Sequence, residues 1–196
     1  MKVSLGWLEG ATRVISHNFD DRPDEDDISL IVIHSISLPP GEFGGDSIDQ
    51  LFTNCLPANA HPYFDTIRHL RVSAHVLIRR DGRVIQYVPF HKRAWHAGVS
   101  TYLGRSCCND FAIGIELEGT EEVTYTDTQY EQLIALTGSL LRSYPRLSRR
   151  AIVGHSEIAP GRKTDPGASF DWARFHSLLT VRGVSADPRF DRSCEF

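Results

Sequence analysis

The chain has 196 residues, a formal net charge of −4 at pH 7 and a sequence pI of about 6.1. This length suits one domain with a single hydrophobic core, and the acidic balance argues against a broad basic surface for nucleic acid. The first 20 residues lack the features of a secretory signal, and no stretch approaches the ~20 apolar residues that a membrane span needs. We therefore predict a soluble, cytoplasmic, monomeric protein that binds neither nucleic acid nor membrane.

The cysteines carry little structural information. Four are present, and they form neither a CxxC pair nor an evenly spaced framework: Cys55, Cys107, Cys108 and Cys194. Such a pattern predicts free thiols, and the adjacent pair at 107–108 is expected to be structural.

The first predicted element is a strand over 28–33, a continuous apolar run rich in β-branched residues that suits burial on both faces. The run ends at His34. The segment 35–70 is then long, punctuated by Pro and Gly, and predicted to be irregular except for one short helical phrase that contains Ile48, Leu51 and Phe52. So long an excursion in a compact domain predicts a lid or a binding loop.

A hairpin and a further strand follow. The runs 72–78 and 83–88 flank an Asp81-Gly82 pair, which supplies the backbone angles of a tight hairpin turn. The run 111–117 predicts another apolar strand, in which Gly114 favours close approach of another backbone. The same strand carries a carboxylate, Glu116, near its end.

Helices alternate with the last strand. A helix is predicted over 127–144, where Thr126 and Gln129 form a capping box and Pro145 stops the helix. A short strand over 151–154 leads into His155, and a final helix is predicted over 171–179 with Trp172, Phe175 and Leu179 buried. The pattern predicts an α/β (mixed α+β) domain over 1–182 with a central mixed β-sheet flanked by helices, followed by a polar tail over 183–196.

Two histidines directly follow apolar strand-like runs. Side chains at such positions emerge at the rim of a sheet, where clefts form. If the two strands are neighbours, His34 and His155 face one point, and Asp165 folds back across a turn rich in Pro and Gly as a third ligand. Two histidines and one carboxylate leave the fourth tetrahedral position of Zn²⁺ open, as in catalytic zinc sites. The residues alone leave a second interpretation open, in which the histidines are ordinary strand-end residues and Asp165 is a turn residue.

Five blocks in a fixed order extend this interpretation. They resemble the AmpD-type anhydro-muramyl-peptide amidases, zinc enzymes of the N-acetylmuramoyl-L-alanine amidase type 2 family that are similar in fold to phage T7-type amidases and peptidoglycan-recognition proteins. The resemblance spans about residues 5–180, and its blocks are 31-IVIHSISLPPGEFGG-45, 72-VSAHVLIRRDG-82, 94-AWHAGVS-100, 108-CNDFAIGIELEGT-120 and 154-GHSEIAPGRKTDPG-167.

The resemblance implies the roles of five residues. It implies that the zinc ligands are His34, His155 and Asp165. It also implies that Glu116 is the catalytic acid and base and that Lys163 stabilises the oxyanion. Zinc lowers the pKa of a bound water to near 7 and polarises a carbonyl, a positioned carboxylate moves the proton, and a nearby cation stabilises the developing negative charge.

The residue pattern alone favours other interpretations of Glu116 and Lys163. Glu116 with Glu118 alternates as solvent-facing strand residues do, and Lys163 beside Arg162 suits a solvated turn.

The implied reaction is hydrolysis of the amide bond between 1,6-anhydro-N-acetylmuramic acid and L-alanine of the stem peptide, in cytoplasmic recycling of muropeptides. Through the family, this activity is linked to β-lactamase induction. Two other classes are weaker: a recognition module that binds muropeptide without cutting it typically lacks part of the metal set, and an amidase for polymeric peptidoglycan would be exported. An ordinary metallopeptidase would bring a helical HExxH, which is missing.

Six residues are candidate substrate contacts: Arg71, His75, Trp95, His96, Asn109 and Asp110. Arg71 is suited to pair with a peptide carboxylate, and Trp95 with His96 to wall the pocket. His75 is expected close to the site, either supporting it from behind or contacting substrate, and a core position is the alternative. A core position is also the alternative for Trp95, and a turn is the alternative for Asn109 and Asp110. Relatives often carry Asn where this chain has Ser35 and Arg where it has Cys107, so the chain departs from the family pattern at these two positions.

Overall fold

The computed structural model describes residues 1–181. The predicted tail over 183–196 and Cys194 lie outside the described residues. Cys55, Cys107 and Cys108 carry free thiols, as predicted. No helix within the described part of the chain is long and apolar enough to cross a membrane.

The chain folds into short strands and helices in mixed order. The strands are β1 (Val3–Ser4), β2 (Trp7–Leu8), β3 (Thr12–Arg13), β4 (Phe19–Asp21), β5 (Leu30–Ile36), β6 (Val76–Ile78), β7 (Val84–Gln86), β8 (Lys92–Ala94), β9 (Thr101–Tyr102), β10 (Arg105–Ser106), β11 (Ala112–Glu118) and β12 (Ile152–Gly154). The α-helices are α1 (Ser47–Phe52), α2 (Pro62–Ile67), α3 (Asp127–Ser143), α4 (His155–Ile158) and α5 (Trp172–Val181), and a 3-10 turn covers Cys108–Asp110.

A six-stranded mixed sheet forms the centre, in the order β12-β5-β11-β6-β7-β3. The first four strands of that order run parallel, β6 and β7 form the antiparallel hairpin predicted around Gly82, and β3 pairs with β7 in parallel. The predicted α+β class with a central mixed sheet is thereby confirmed. The strands β12 and β11 lie on either side of β5 and run parallel to it. The carboxyl ends of the three strands therefore meet at one edge of the sheet.

The two longest strands bury different side chains on their two faces, as the period of two requires. One face packs against α3 and α5 through Ile31, Ile33, Ile113, Ile115, Leu117, Leu133, Leu140 and Phe175. The opposite face carries Leu30, Val32 and Ala112, and also His34 and Glu116. His34 and Glu116 therefore lie on the face turned away from the long helices.

The helix α3 confirms its predicted cap. The Thr126 hydroxyl accepts a hydrogen bond from the Gln129 amide at 3.1 Å, and the Gln129 side chain accepts one from the Thr126 amide at 3.0 Å. The helix ends at Ser143, just before Pro145. In α5, Phe175 and Leu179 are buried as predicted, whereas Trp172 is half-buried against the core.

The segment 35–70 differs from its prediction. The strand β5 continues through Ile36, so His34 lies within the strand and not after it. The helical phrase is confirmed as α1, but a second helix, α2, was not predicted. Its start carries a recognisable signal, since the His61 side chain accepts a hydrogen bond from Tyr63 N, and Pro62 occupies the first helical position, where its missing N–H costs nothing.

The interpretation of Glu118 as solvent-facing is wrong. Its side chain is only 2% exposed, and Arg79, equally buried, donates to its Oε1 at 2.9 Å and to Asp49 of α1 at 3.0 Å. The Arg80 amide donates to the other oxygen of Glu118 at 3.1 Å. A buried carboxylate requires such a partner, and here the partner ties α1 to the sheet.

Replacing Arg79 with alanine is expected to lower the free energy of unfolding by about 3–5 kcal/mol, because it leaves the buried Glu118 carboxylate uncompensated. Chemical denaturation measures the change. Arg83→Ala is the matched control: Arg83 pairs with Asp81 at the surface, with both side chains more than half exposed, and such pairs contribute about 0–1 kcal/mol. Equal effects of the two substitutions would contradict the structural role of the buried pair.

Candidate metal centre and active site

Three ligand-type side chains converge at the carboxyl edge of the parallel strands. His34 Nδ1 lies 3.0 Å from His155 Nδ1, and each of these nitrogens lies 3.1 Å from Asp165 Oδ2. Within residues 1–181 these are the side chains that form a cluster able to hold a metal ion. The juxtaposition expected from the sequence is therefore present.

The strand register explains why these residues meet. His34 of β5 is the direct neighbour of Glu116 on β11, on the same face of the sheet. His155 follows β12, which pairs with the other side of β5, and opens the short helix α4. Asp165 returns to this point because its carbonyl accepts a hydrogen bond from the Ser156 amide at 3.0 Å.

The outer nitrogens of both histidines have fixed partners. His155 Nε2 lies 3.1 Å from the Ala97 carbonyl oxygen, and since a carbonyl can only accept, this nitrogen carries the proton of the neutral ring. His34 Nε2 lies 2.9 Å from His96 Nδ1. Both histidines can therefore present an unprotonated Nδ1 to Asp165, which is the tautomer that a metal ligand needs.

The donor set and its spacing fit zinc. Two imidazole nitrogens and one carboxylate oxygen are ligands that Zn²⁺ accepts, and tetrahedral coordination separates such ligand atoms by about 3.3 Å. The observed separations of 3.0–3.1 Å are close to that value. Burial lowers the pKa of His34 to about 4, so the ring is neutral at pH 7. Burial would raise the pKa of Asp165, but the adjacent His155 and His34 outweigh burial and lower the pKa, so this side chain is a carboxylate.

Glu116 is a buried acid beside this cluster. Its Oε2 is buried and has no hydrogen-bond partner within the described residues. Burial, with the nearby Asp165 carboxylate as the second cause, raises the pKa of Glu116 well above its usual value, while Lys163 opposes the shift. The solvent-facing interpretation of Glu116 is therefore wrong. A carboxyl group with a raised pKa next to a candidate metal site is suited to accept and return a proton.

Lys163 approaches from the same loop as two of the clustered residues. Its backbone amide donates to the Ala159 carbonyl at 3.1 Å, and its side chain is exposed. The Lys163 ammonium is close enough to lower the pKa of both His34 and Glu116. The loop thus brings a positive charge to the edge of the cluster, where negative charge on a substrate oxygen would be stabilised.

The prediction that His75 contacts substrate is wrong. The side chain is fully buried. Its Nδ1 accepts a hydrogen bond from the Gly114 amide at 3.1 Å, and its Nε2 donates to the Lys92 carbonyl at 3.0 Å. The ring packs 5.8 Å from that of His96, centroid to centroid. His75 is therefore the core histidine of the alternative interpretation, and it supports the site from behind.

The other five predicted contacts have different environments. His96 contacts His34, with its Nδ1 2.9 Å from His34 Nε2. Trp95 is half-buried, and its indole N–H donates to Asp20 at 3.1 Å. Asp110 pairs with Arg93 at 2.6 Å, and Asn109 accepts two backbone hydrogen bonds from the segment that contains His96. Arg71 is exposed and available to a ligand. Arg71, Trp95, His96, Asn109 and Asp110 all stay predicted substrate contacts.

One residue near the cluster was missed in the sequence. The Arg162 guanidinium donates through Nη2 to the Ala97 carbonyl at 2.6 Å and to the Val99 carbonyl at 2.7 Å. It thereby joins the loop of Asp165 to the segment that accepts from His155. Its position beside Lys163 gave no signal of this role, because its partners are backbone carbonyls more than 60 residues away.

Comparison with known proteins gives a consistent result. The model of the family described as N-acetylmuramoyl-L-alanine amidase matches residues 24–168. The chain is 62% identical over 180 residues to the 1,6-anhydro-N-acetylmuramyl-L-alanine amidase AmpD of Citrobacter freundii, covering 92% of this chain and 96% of that protein. A crystal structure of a selenomethionine derivative of AmpD superimposes with a TM-score of 0.89 at 62% identity, over 91% of this chain and 99% of that one.

A more distant structure contains a ligand. It is the complex of the N-acetylmuramyl-L-alanine amidase AmiD from E. coli with the substrate anhydro-N-acetylmuramic acid-L-Ala-D-γ-Glu-L-Lys. Its TM-score is 0.55 at 26% identity, over 87% of this chain and 60% of that chain.

Similarity in both sequence and fold places the protein among the hydrolases of the amidase class. Since the family model spans most of the chain, the protein belongs to the N-acetylmuramoyl-L-alanine amidase family, and within it to the AmpD-type branch. The resemblance noted in the five sequence blocks is confirmed.

Proposed function

We propose that the protein is a zinc-dependent amidase that hydrolyses the bond between the lactyl group of 1,6-anhydro-N-acetylmuramic acid and L-alanine of the stem peptide, in muropeptide recycling. The observation that carries the proposal is the convergence of His34, His155 and Asp165 within 3.0–3.1 Å beside the buried Glu116. The names of the AmpD relatives and the ligand of the AmiD complex support the substrate. Cytoplasmic location and monomeric state stay predictions from the sequence, and the link to β-lactamase regulation stays an implication of the resemblance.

Zinc, held by His34, His155 and Asp165, would supply Lewis-acid activation of water and polarisation of the scissile carbonyl. The protein residues then manage the proton and the charge. Glu116 takes the proton that water loses on attacking the carbonyl and gives it to the alanine nitrogen as the C–N bond breaks. The raised pKa of Glu116 suits both steps, because a catalytic acid and base works best when its pKa approaches the working pH.

Lys163 completes the proposed set by stabilising the oxyanion that forms as water adds to the carbonyl. The net reaction adds OH to the lactyl carbonyl carbon and H to the amine of L-alanine. The ammonium is suited to this role because it lies at the edge of the cluster, on the loop that Asp165 and Ser156 fix to α4. A positive charge near the developing oxyanion stabilises it electrostatically.

The direct test is to incubate the zinc-loaded protein with anhydro-N-acetylmuramic acid-L-Ala-D-γ-Glu-L-Lys and to follow free tripeptide by mass spectrometry. We expect release that stops when a chelator removes the metal and returns with added zinc. Intact sacculi form the second arm, and we expect slower release from them than from the soluble substrate. No release from the soluble substrate with zinc present, or release that a chelator leaves unchanged, would contradict the proposal.

Lys163→Met is expected to lower kcat about 10²-fold, the loss that removal of one oxyanion donor typically causes, while zinc binding is retained because Lys163 is not a ligand. Steady-state kinetics and metal analysis give the two readouts. The matched control is Lys2→Met. Lys2 is an exposed lysine that pairs with Glu9, and both residues lie far from Lys163 in the sequence. An unchanged kcat for Lys163→Met would remove this residue from the mechanism.

A further inference from the structure

The segment 95–97 joins β8 to the loop that follows it, and it contacts both histidines of the candidate metal site from outside the cluster. The His96 ring contacts His34, and the Ala97 carbonyl accepts from His155. Two neighbouring residues thus hold the outer nitrogens of two histidines that come from different strands. Any displacement of this segment would alter the orientation of both imidazoles at once.

Gly114 in the middle of β11 makes room for this arrangement. A Cβ atom at Gly114 would lie 2.4 Å from Cγ and 2.6 Å from Nδ1 of His96, distances that no packed structure tolerates. The sequence predicted close approach of a backbone at this glycine; the structure shows the approach of a side chain. Within residues 1–181, the only hydrogen bond of the His96 ring is the one with His34, because His96 Nε2 is buried without a partner.

The segment itself is held by one side-chain atom. Asn109 Oδ1 accepts hydrogen bonds from the His96 amide at 3.2 Å and from the Ala97 amide at 2.8 Å. The backbone of Asn109 is held in turn, since Arg22, a buried arginine, donates through Nη1 to its carbonyl at 3.0 Å. Two buried amides that share one acceptor would both lose their partner if that acceptor were removed.

We propose that Asn109 is a positioning residue for the metal centre: by clamping the amides of His96 and Ala97, it fixes the tautomer and orientation of His34 and His155. This role replaces the predicted contact of Asn109 with the stem peptide. The inference rests on the proposed zinc site, and it assigns to one amide side chain the orientation of two ligands. Outer partners of metal-ligating histidines act in this way in general, and their loss typically weakens metal binding 10–100-fold.

The test compares zinc affinity, measured by competition with a chromophoric chelator, in four proteins. We expect Asn109→Ala to bind zinc about 10–100-fold more weakly than the wild type. Asn109→Asp keeps an acceptor oxygen for both amides and is expected to restore most of the affinity. Ser100→Ala is the control, because the Ser100 hydroxyl accepts from the Cys108 amide in the same loop without reaching His96 or Ala97, and its affinity should equal that of the wild type.

A second readout separates positioning from general loosening. Long-range ¹H–¹⁵N NMR of the zinc-free protein reports which ring nitrogen carries the proton, and we expect protonated Nε2 in His155 of the wild type and mixed tautomers in Asn109→Ala. Equal zinc affinity of Asn109→Ala and the wild type, an equal loss in Ser100→Ala, or no rescue by Asp would each overturn the inference. Absence of zinc binding by the wild type would instead contradict the proposed function itself.

Discussion

Asp165→Ala is expected to abolish amidase activity and to weaken zinc binding by more than about 100-fold, since the loss of residues that merely orient ligands already costs 10–100-fold. Asp165 is the sole carboxylate in the cluster, and its Oδ2 lies 3.1 Å from the Nδ1 atoms of both His34 and His155. Without it, two imidazoles remain, a weaker site for a divalent cation. Metal analysis after gel filtration and chelator competition give stoichiometry and affinity.

The control for this substitution is Asp65→Ala. Asp65 is an exposed carboxylate of α2 that pairs with Arg68 at 2.9 Å, so its removal should change neither zinc content nor activity. One equivalent of zinc retained by Asp165→Ala with wild-type affinity would exclude Asp165 as a ligand. His155→Ala should reproduce the loss, because it removes a ligand from a different element.

Glu116→Gln is expected to lower kcat by about 10²–10⁴-fold, the range that a positioned proton shuttle contributes, with zinc binding retained. Glutamine has nearly the same shape as glutamate but cannot accept the proton of the attacking water. Kinetics at saturating substrate measure kcat, and metal analysis of the same sample measures the retained zinc. Wild-type kcat in this variant would exclude Glu116 as the base.

Glu116→Gln lowers activity, but it is expected to stabilise the folded protein at neutral pH. In the zinc-free protein the pKa of Glu116 is raised above its ordinary value of 4.5, so between pH 4.5 and the raised pKa the folded state binds more protons than the unfolded state. Stability therefore falls as pH rises through that window. Glu116→Gln removes this fall, so it should be more stable than the wild type at pH 7 and equal to it below pH 4.5.

Glu118→Gln provides the matched comparison, two residues along the same strand. Glu118 is as buried as its partner Arg79, and losing its charge should destabilise the protein at pH 7. Denaturation curves between pH 4 and pH 8 measure both variants. Destabilisation by Glu116→Gln at pH 7 would contradict the assignment of Glu116 as a buried acid whose Oε2 has no hydrogen-bond partner within the described residues.

The sequence was sufficient for the elements whose signals are local. The apolar runs that became β5 and β11, the capping box of Thr126 and Gln129, and the Asp81-Gly82 turn all depend on neighbours within a few residues. The start of α2 at Pro62 was also local but lay inside a segment so rich in Pro and Gly that the helix was missed.

Features that depend on distant partners could not be read from the chain. The burial of Glu118 depends on Arg79, 39 residues away. His75 gave the pattern of a strand residue near a site, but only the fold shows its nitrogens engaged by Gly114 and Lys92. Gly114 marked a close approach, and the identity of the approaching group, His96, required the structure.

The metal cluster could be predicted from the sequence only in part. The strand-end pattern suggested that His34 and His155 could meet, yet pattern alone left the ordinary strand-end interpretation open, and the family resemblance implied the ligand roles. The structure brings the three side chains together. The outer partners His96 and Ala97 had no local signal, because strand pairing determines which segment lies behind each histidine.

A zinc-edge anomalous difference map, from crystals grown with the metal, would locate the ion directly. We expect one peak per chain, about 2.0–2.2 Å from His34 Nδ1, His155 Nδ1 and Asp165 Oδ2. No peak at this point with zinc in excess, or a peak coordinated through Nε2 of either histidine, would contradict the site described here.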